Sequence, residues 1–319
     1  MKARARFELP GDLEDELRRA ARLEWVTVGF MTSIIVVVYL TMGSSQAMKA
    51  AWIEDMLSLV APIAFLVSTR VRDRSPTEEY PYGLHRAVSI AFLTGAVALL
   101  LFGAYILVDS VVGLIGREHP SLGLSVVLGQ PIWSGWIMIA ALIYSALPPL
   151  VLGRMKLPLA RRLHDKTLKT DADMNRADWL TATAGIAGIV GIGFGLWWAD
   201  SVAGAVISLS IVKDGAENLS RVVKDLVDQR PTTVDGDISD VPERVAARVL
   251  SLDWVESAEV RFREEGHVFA GEVFVSTLDG GLTAGRVRAV EEVARAVDWR
   301  VHDVVVTMPV GDSAPDAGA

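Results

Sequence analysis

Apolar residues gather into six long blocks along the chain, at roughly 24–43, 48–70, 87–115, 133–153, 174–197 and 200–222. A helix that crosses a bilayer needs about 20 mostly apolar residues, so each block reads as one transmembrane helix. Beyond Arg230 and Pro231 the pattern changes. A linker, Thr232-Thr233-Val234-Asp235-Gly236-Asp237, leads into sequence in which charged and apolar positions alternate at short periods. Residues 241–251 repeat at the helical period, 255–263 and 268–277 alternate in the strand manner, 282–297 return to helix, and 301–308 form a β-branched strand. The expected fold is an integral membrane protein of six helices followed by a small α+β domain of order αββαβ. Its parts are an N-terminal segment 1–23, a membrane domain 24–230, the α+β domain 231–310 and a disordered tail 311–319.

Charge fixes an orientation. Lys and Arg crowd the N-terminal segment, the link with Arg70, Arg72, Arg74 and Arg86, the link with Arg154, Lys156, Arg161, Arg162, Lys166 and Lys169, and the exit with Lys213, Arg221, Lys224 and Arg230. The intervening links offer only Lys49 and Arg117. Cationic loops stay on the cytoplasmic side, so both termini and the α+β domain are expected there, in a multi-pass protein of the cell membrane. Glu14, Asp15 and Glu16 precede the first apolar run, which argues against a cleaved signal peptide. Trp133, Trp136, Trp197 and Trp198 stand at external helix ends, where they anchor in lipid headgroups. The fifth block carries Gly185, Gly188, Gly191, Gly193 and Gly195, which read as sites of close helix packing.

Composition agrees: 51% of residues are hydrophobic, above the share in ordinary soluble domains. The net charge of −8 averages over two unlike regions, and no basic stripe with interleaved aromatics points to nucleic acid. Cysteine is absent, which excludes disulfides and thiolate metal sites. No nucleophile elbow, His-Glu-x-x-His pair or phosphate-binding loop occurs, so an enzyme is not expected, and no resident cofactor is implied.

Ionisable groups inside apolar spans are expensive and therefore candidates for function. The second block holds Glu54 and Asp55, with Ser58 one turn on from Glu54. The fifth opens with Asp171, Asp173, Met174, Asn175 and Asp178, of which Asp171, Met174, Asn175 and Asp178 share one stripe. Oxygen ligands at i, i+4 spacing on two helices can enclose a hard divalent cation. Asp171 and Asp173 read more simply as complements to the dipole at the helix start. Lys213, Asp214 and Glu217 read as solvated or salt-bridged, and His85 and His164 as ordinary loop histidines.

Tyr82-Gly83-Leu84-His85-Arg86-Ala87, the run Leu168 to Asp173, Tyr105 to Asp109, Asp178 and Asp200 resemble motifs of the cation diffusion facilitator family. The resemblance covers nearly the whole chain. It implies efflux of a divalent metal by antiport with protons, a homodimer, and a cytoplasmic tail of ferredoxin-like type. It puts Glu54, Ser58, Met174 and Asp178 at the family's ligand positions, and with Asp55 and Asn175 beside them these six are the candidate metal ligands. Two departures stand out: Ser58 replaces the second acid of the second helix, and Met174 replaces the His or Asp before Asp178. A ligand set without histidine is harder than a zinc tetrad and favours manganese or iron over zinc. The strand positions Glu259, Val273 and Thr307 offer no second site in the tail. The alternative function is a non-transporting membrane scaffold or sensor of the same fold.

Overall fold

The computed structural model describes residues 10–72, 77–80, 84, 86–117, 123–127, 129–265 and 268–309. These fall into two compact units, one within Gly11–Arg74 and Gly83–Leu226, the other centred on the chain from Val227 onward. Lys2, Arg4, Arg6, Arg74, most of the Tyr82–His85 motif and the tail 311–319 lie outside the described residues.

The first unit is a helix bundle. Helix α1 (Gly11–Thr41) is followed by α2 (Gln46–Ser58), α3 (Val60–Arg72), α4 (Arg86–Ile115), α5 (Ser134–Leu163), α6 (Lys166–Gly193) and α7 (Ala199–Leu226). Between α4 and α5 lies a short hairpin of β1 (Leu124–Val127) and β2 (Gln130–Trp133). Among the described residues, four stretches are long and apolar enough to cross a membrane: Leu13–Thr41, Gln46–Arg70, Ser89–Ile115 and Ser134–Leu163. α6 and α7 have 28 residues each, about 42 Å of helix at 1.5 Å per residue, but fall short of that apolar density. α4 is apolar nearly all round and leaves Leu101, Phe102, Tyr105, Val108, Val112 and Ile115 exposed along its length, a surface suited to lipid rather than water.

Several boundaries differ from the sequence reading, and α6 starts at Lys166, eight residues before the expected 174. α1 begins at Gly11, so residues 11–23 are its first turns rather than part of a separate segment. The second apolar block divides at Leu59, a single residue that itself keeps helical backbone angles, into α2 and α3. Pro62 explains the break, since it has no N–H to donate to the Ser58 carbonyl. α5 runs on to Leu163, ten residues past the expected end, carrying Lys156 inside the helix rather than in a loop.

Small residues bring the last two helices together. A Cβ at Gly191 would stand 2.4 Å from the Ala199 Cβ, and one at Gly188 2.7 Å from the Ala203 Cβ, so α6 and α7 approach as closely as glycine allows. α2 packs against both, α4 against α7, and α5 against α6 and α1. Trp133 lies edge-on to Trp136, with ring centroids 6.0 Å apart, and covers Gly193.

The second unit has the expected order, with α8 (Val241–Leu250), β3 (Val255–Glu265), β4 (Val268–Thr277), α9 (Ala284–Val297) and β5 (Val301–Thr307). β3 pairs antiparallel with β4, and β4 pairs parallel with β5 across the α9 crossover. Val241, Val245 and Val249 repeat every four residues on α8 and face Phe262, Phe269, Val273, Val275 and Val304 of the sheet, with Val290 and Ala294 of α9 beside them. Val273 is therefore a core residue.

Candidate metal site

The sequence candidates come from α2 and α6, which pack side by side. Glu54, Asp55 and Ser58 lie on the last turns of α2, just before the break at Leu59. Asp55 and Ser58 are buried, Glu54 partly so. From α6, Asn175 and Asp178 are buried and Met174 is half-buried. The Thr181 hydroxyl, one turn on from Asp178, is a polar neighbour of the Glu54 carboxyl. Asp178 lies in the electrostatic field of Glu54 and Asp55 together.

One feature unites four of these residues. Glu54 Oε2, Asp55 Oδ2, Ser58 Oγ and Asp178 Oδ2 are all buried, and none has a hydrogen-bond partner. A buried oxygen left unpaired costs about 1–3 kcal/mol, and these four lie on two helices, α2 and α6, that pack against each other. Hard donors of this kind suit a dication stripped of its water. Among the described residues, no three His, Asp or Glu side chains stand close enough together to hold a metal ion. The oxygens of Ser58 and Asn175 would have to complete the set.

Asn175 belongs equally to a second cluster that the sequence reading missed. Its Nδ2 donates at 3.0 Å to Asp171 Oδ2, and that oxygen also accepts from Lys156 Nζ. Lys156 donates at 2.8 Å to Glu24 Oε2 as well. Asp171 is thus not a solvated complement to the helix dipole but half of a buried ion pair. Asp173 does stay near the surface, paired with Lys169 at 2.7 Å. The signal for Lys156 in the sequence was weak: a lone cation beyond an apolar block, whose acidic partners lie 132 and 15 residues away. Lys213 pairs with Glu217 at the surface, as expected.

Asp200, in the first turn of α7, is fully buried and serves a neighbour. Its carboxylate accepts from Ser45 Oγ at 2.6 Å, from the Gln46 amide at 2.6 Å and from the Ala47 amide at 3.3 Å. It thereby meets the free N–H groups at the start of α2 with a full negative charge. Ser45 also accepts from the Met48 amide. This arrangement fixes the helix that carries Glu54 and Ser58.

Known proteins resemble the chain over much of its length. A manganese efflux system protein of Bacillus subtilis, MneS, is 25% identical over 201 residues, covering 62% of this chain and 65% of that protein. Mitochondrial metal transporter 2 of Saccharomyces cerevisiae is 25% identical over 243 residues, 68% of this chain and 48% of its own length. A second Bacillus subtilis protein named for manganese efflux, MneP, is 26% identical over 249 residues, 76% of this chain and 77% of that one. The chain thus spans less than two thirds of the length of the first two relatives. Residues 25–227 match the family described as the cation efflux transmembrane domain. That match runs from within α1 to the end of α7, through both α2 and α6, and over more than half of the 319 residues, so the chain belongs to the cation efflux family, the cation diffusion facilitators.

Proposed function

We propose that the protein exports a hard divalent cation, manganese or ferrous iron in preference to zinc, in exchange for protons. The observation that carries this reading is the group of four buried, unpartnered oxygens of Glu54, Asp55, Ser58 and Asp178. Glu54 and Asp178 are the principal ligands, and Asp55, Ser58, Asn175 and Met174 complete or line the site. A carboxylate must be free of its proton to bind the ion and can take one up after release, so the ligands themselves couple the two fluxes. Two relatives named for manganese efflux support the choice of ion, as does a donor set without histidine or cysteine.

In this reading α6 and α7 also span the membrane, which makes six spans with α2 and α3 counted as one. Both termini and the α+β domain are cytoplasmic, and two copies associate through that domain. A non-transporting scaffold or sensor is the second reading, favoured by the lack of any three close His, Asp or Glu side chains among the described residues. Uptake into proteoliposomes of Mn, Fe, Co, Zn and Cd ions under an imposed pH gradient separates the two. Transport of manganese above empty vesicles supports the first, and no flux of any ion supports the second.

A further inference from the structure

Asp171 stands two helical turns before Asp178 on α6, about 10 Å along the axis, with Asn175 on the same stripe between them. The Asp171 carboxyl and the Glu24 carboxyl from α1 both accept hydrogen bonds from one side chain. The ammonium of Lys156, from α5, sits against both. The Glu24 and Lys156 side chains are 0% exposed, and that of Asp171 is 1%. Two carboxylates against one ammonium leave a formal excess of one negative charge. Glu24 Oε1 is buried with no partner at all.

A structural role accounts poorly for this composition. Buried ion clusters gain little over apolar packing of the same volume, and an unbalanced one gains less. A lysine near a helix end ordinarily extends its ammonium to water, yet Lys156 turns inward. Two convergent carboxylates, one of them with an unpartnered oxygen, form a donor set for a hard dication, and the Asn175 carbonyl oxygen would join them once its amide turns. The ammonium occupies the place where such an ion would sit.

We propose that Glu24, Asp171 and the Asn175 amide form a second divalent-cation site on the same path as Asp178, closed in this conformation by the Lys156 ammonium as a tethered substitute ion. This rests on the transport reading above. A dication between the two carboxylates neutralises both, and the four-carbon stem of Lys156 lets its ammonium swing aside. Asn175, one turn from each acid, is common to the two sites. The ion then passes from one carboxylate pair to the next along a single face of α6.

The test is manganese binding to the full chain in detergent, followed by the loss of the free Mn(II) resonance in electron paramagnetic spectra. An Asp178→Asn background weakens the first site. Adding Lys156→Met to it unblocks the second, and one Mn(II) per protomer is expected to bind at least tenfold more tightly than to Asp178→Asn alone. Adding Glu24→Gln as well abolishes the gain. Equal binding with and without Lys156→Met, in folded protein, overturns the proposal. Should Lys156→Met fail to fold, Glu24→Gln alone decides, because Gln still accepts a hydrogen bond from Lys156. It is expected to slow manganese flux at least tenfold, whereas native flux would show the triad to be structural only. The binding measurement is independent of transport: if Asp178→Asn leaves proton-coupled flux intact, the first-site assignment fails while the second stands or falls on its own titration.

Discussion

The carboxylate of Asp200 accepts a 2.6 Å hydrogen bond from the Ser45 hydroxyl, and through it the start of α7 holds the start of α2. Ser45 has extended backbone geometry and itself caps α2, so one acid and one hydroxyl satisfy three of the first amides of the helix.

Asp200→Ala should therefore destabilise the bundle more than its position at a helix end suggests. Hydrogen bonds to a buried charge contribute about 1.5–3 kcal/mol each, so a loss of that order or more is expected. Ser45→Ala should cost about 1 kcal/mol, as for other helix caps. Thermal melting in detergent checks the order. Equal melting temperatures for Asp200→Ala and the native protein would contradict it.

In the α+β unit, Gly271 allows the two longest strands to meet. A Cβ there would lie 2.0 Å from the Arg261 carbonyl oxygen, a backbone atom that cannot turn away. Gly271→Ala should force β3 and β4 apart at a cost of about 1–3 kcal/mol. Faster proteolysis of the tail at unchanged membrane insertion is the expected result, and native resistance would refute it.

The topology is open to a direct check, because the chain has no cysteine. A single Cys introduced at Arg162, an exposed position paired with Glu16, should react with a membrane-impermeant maleimide only after cells are opened. Labelling of intact cells would reverse the orientation inferred from the cationic links.

The α+β unit was legible almost residue by residue. Its valines recur at period four on α8 and at period two in the strands, and the observed elements begin and end within about two residues of the expected ones. The membrane unit was legible only in outline. Helix ends were read from hydropathy, which treats Lys156 as a terminator. The burial of that residue depends on Glu24 and Asp171, which only the tertiary fold brings to it. The break at Leu59 did carry a local sign in Pro62, three residues on. Glu54, Ser58 and Asp178 were visible as polar residues without an interfacial reason to be there. That Asp55 shares their neighbourhood required the packing of α2 on α6.

Substitutions around the site should separate ligands from lining. Met174→Leu conserves volume on a half-buried side chain and should leave manganese flux within about twofold of native. Ser58→Asp adds an acid beside three partnerless carboxylate oxygens and should raise manganese affinity or change the preference among ions. A Met174→Leu protein without transport would make the thioether a ligand and favour softer ions.

The most direct measurement is manganese flux into proteoliposomes under an imposed pH gradient, comparing the native protein with Asp178→Ala and Asp178→Asn. The native protein should move manganese against proton flow. Both variants should reduce that flux at least a hundredfold, since Asn keeps a carbonyl oxygen but can neither neutralise the ion nor carry a proton. Native rates in Asp178→Ala, together with native rates in Glu54→Ala, would contradict the assignment of the site.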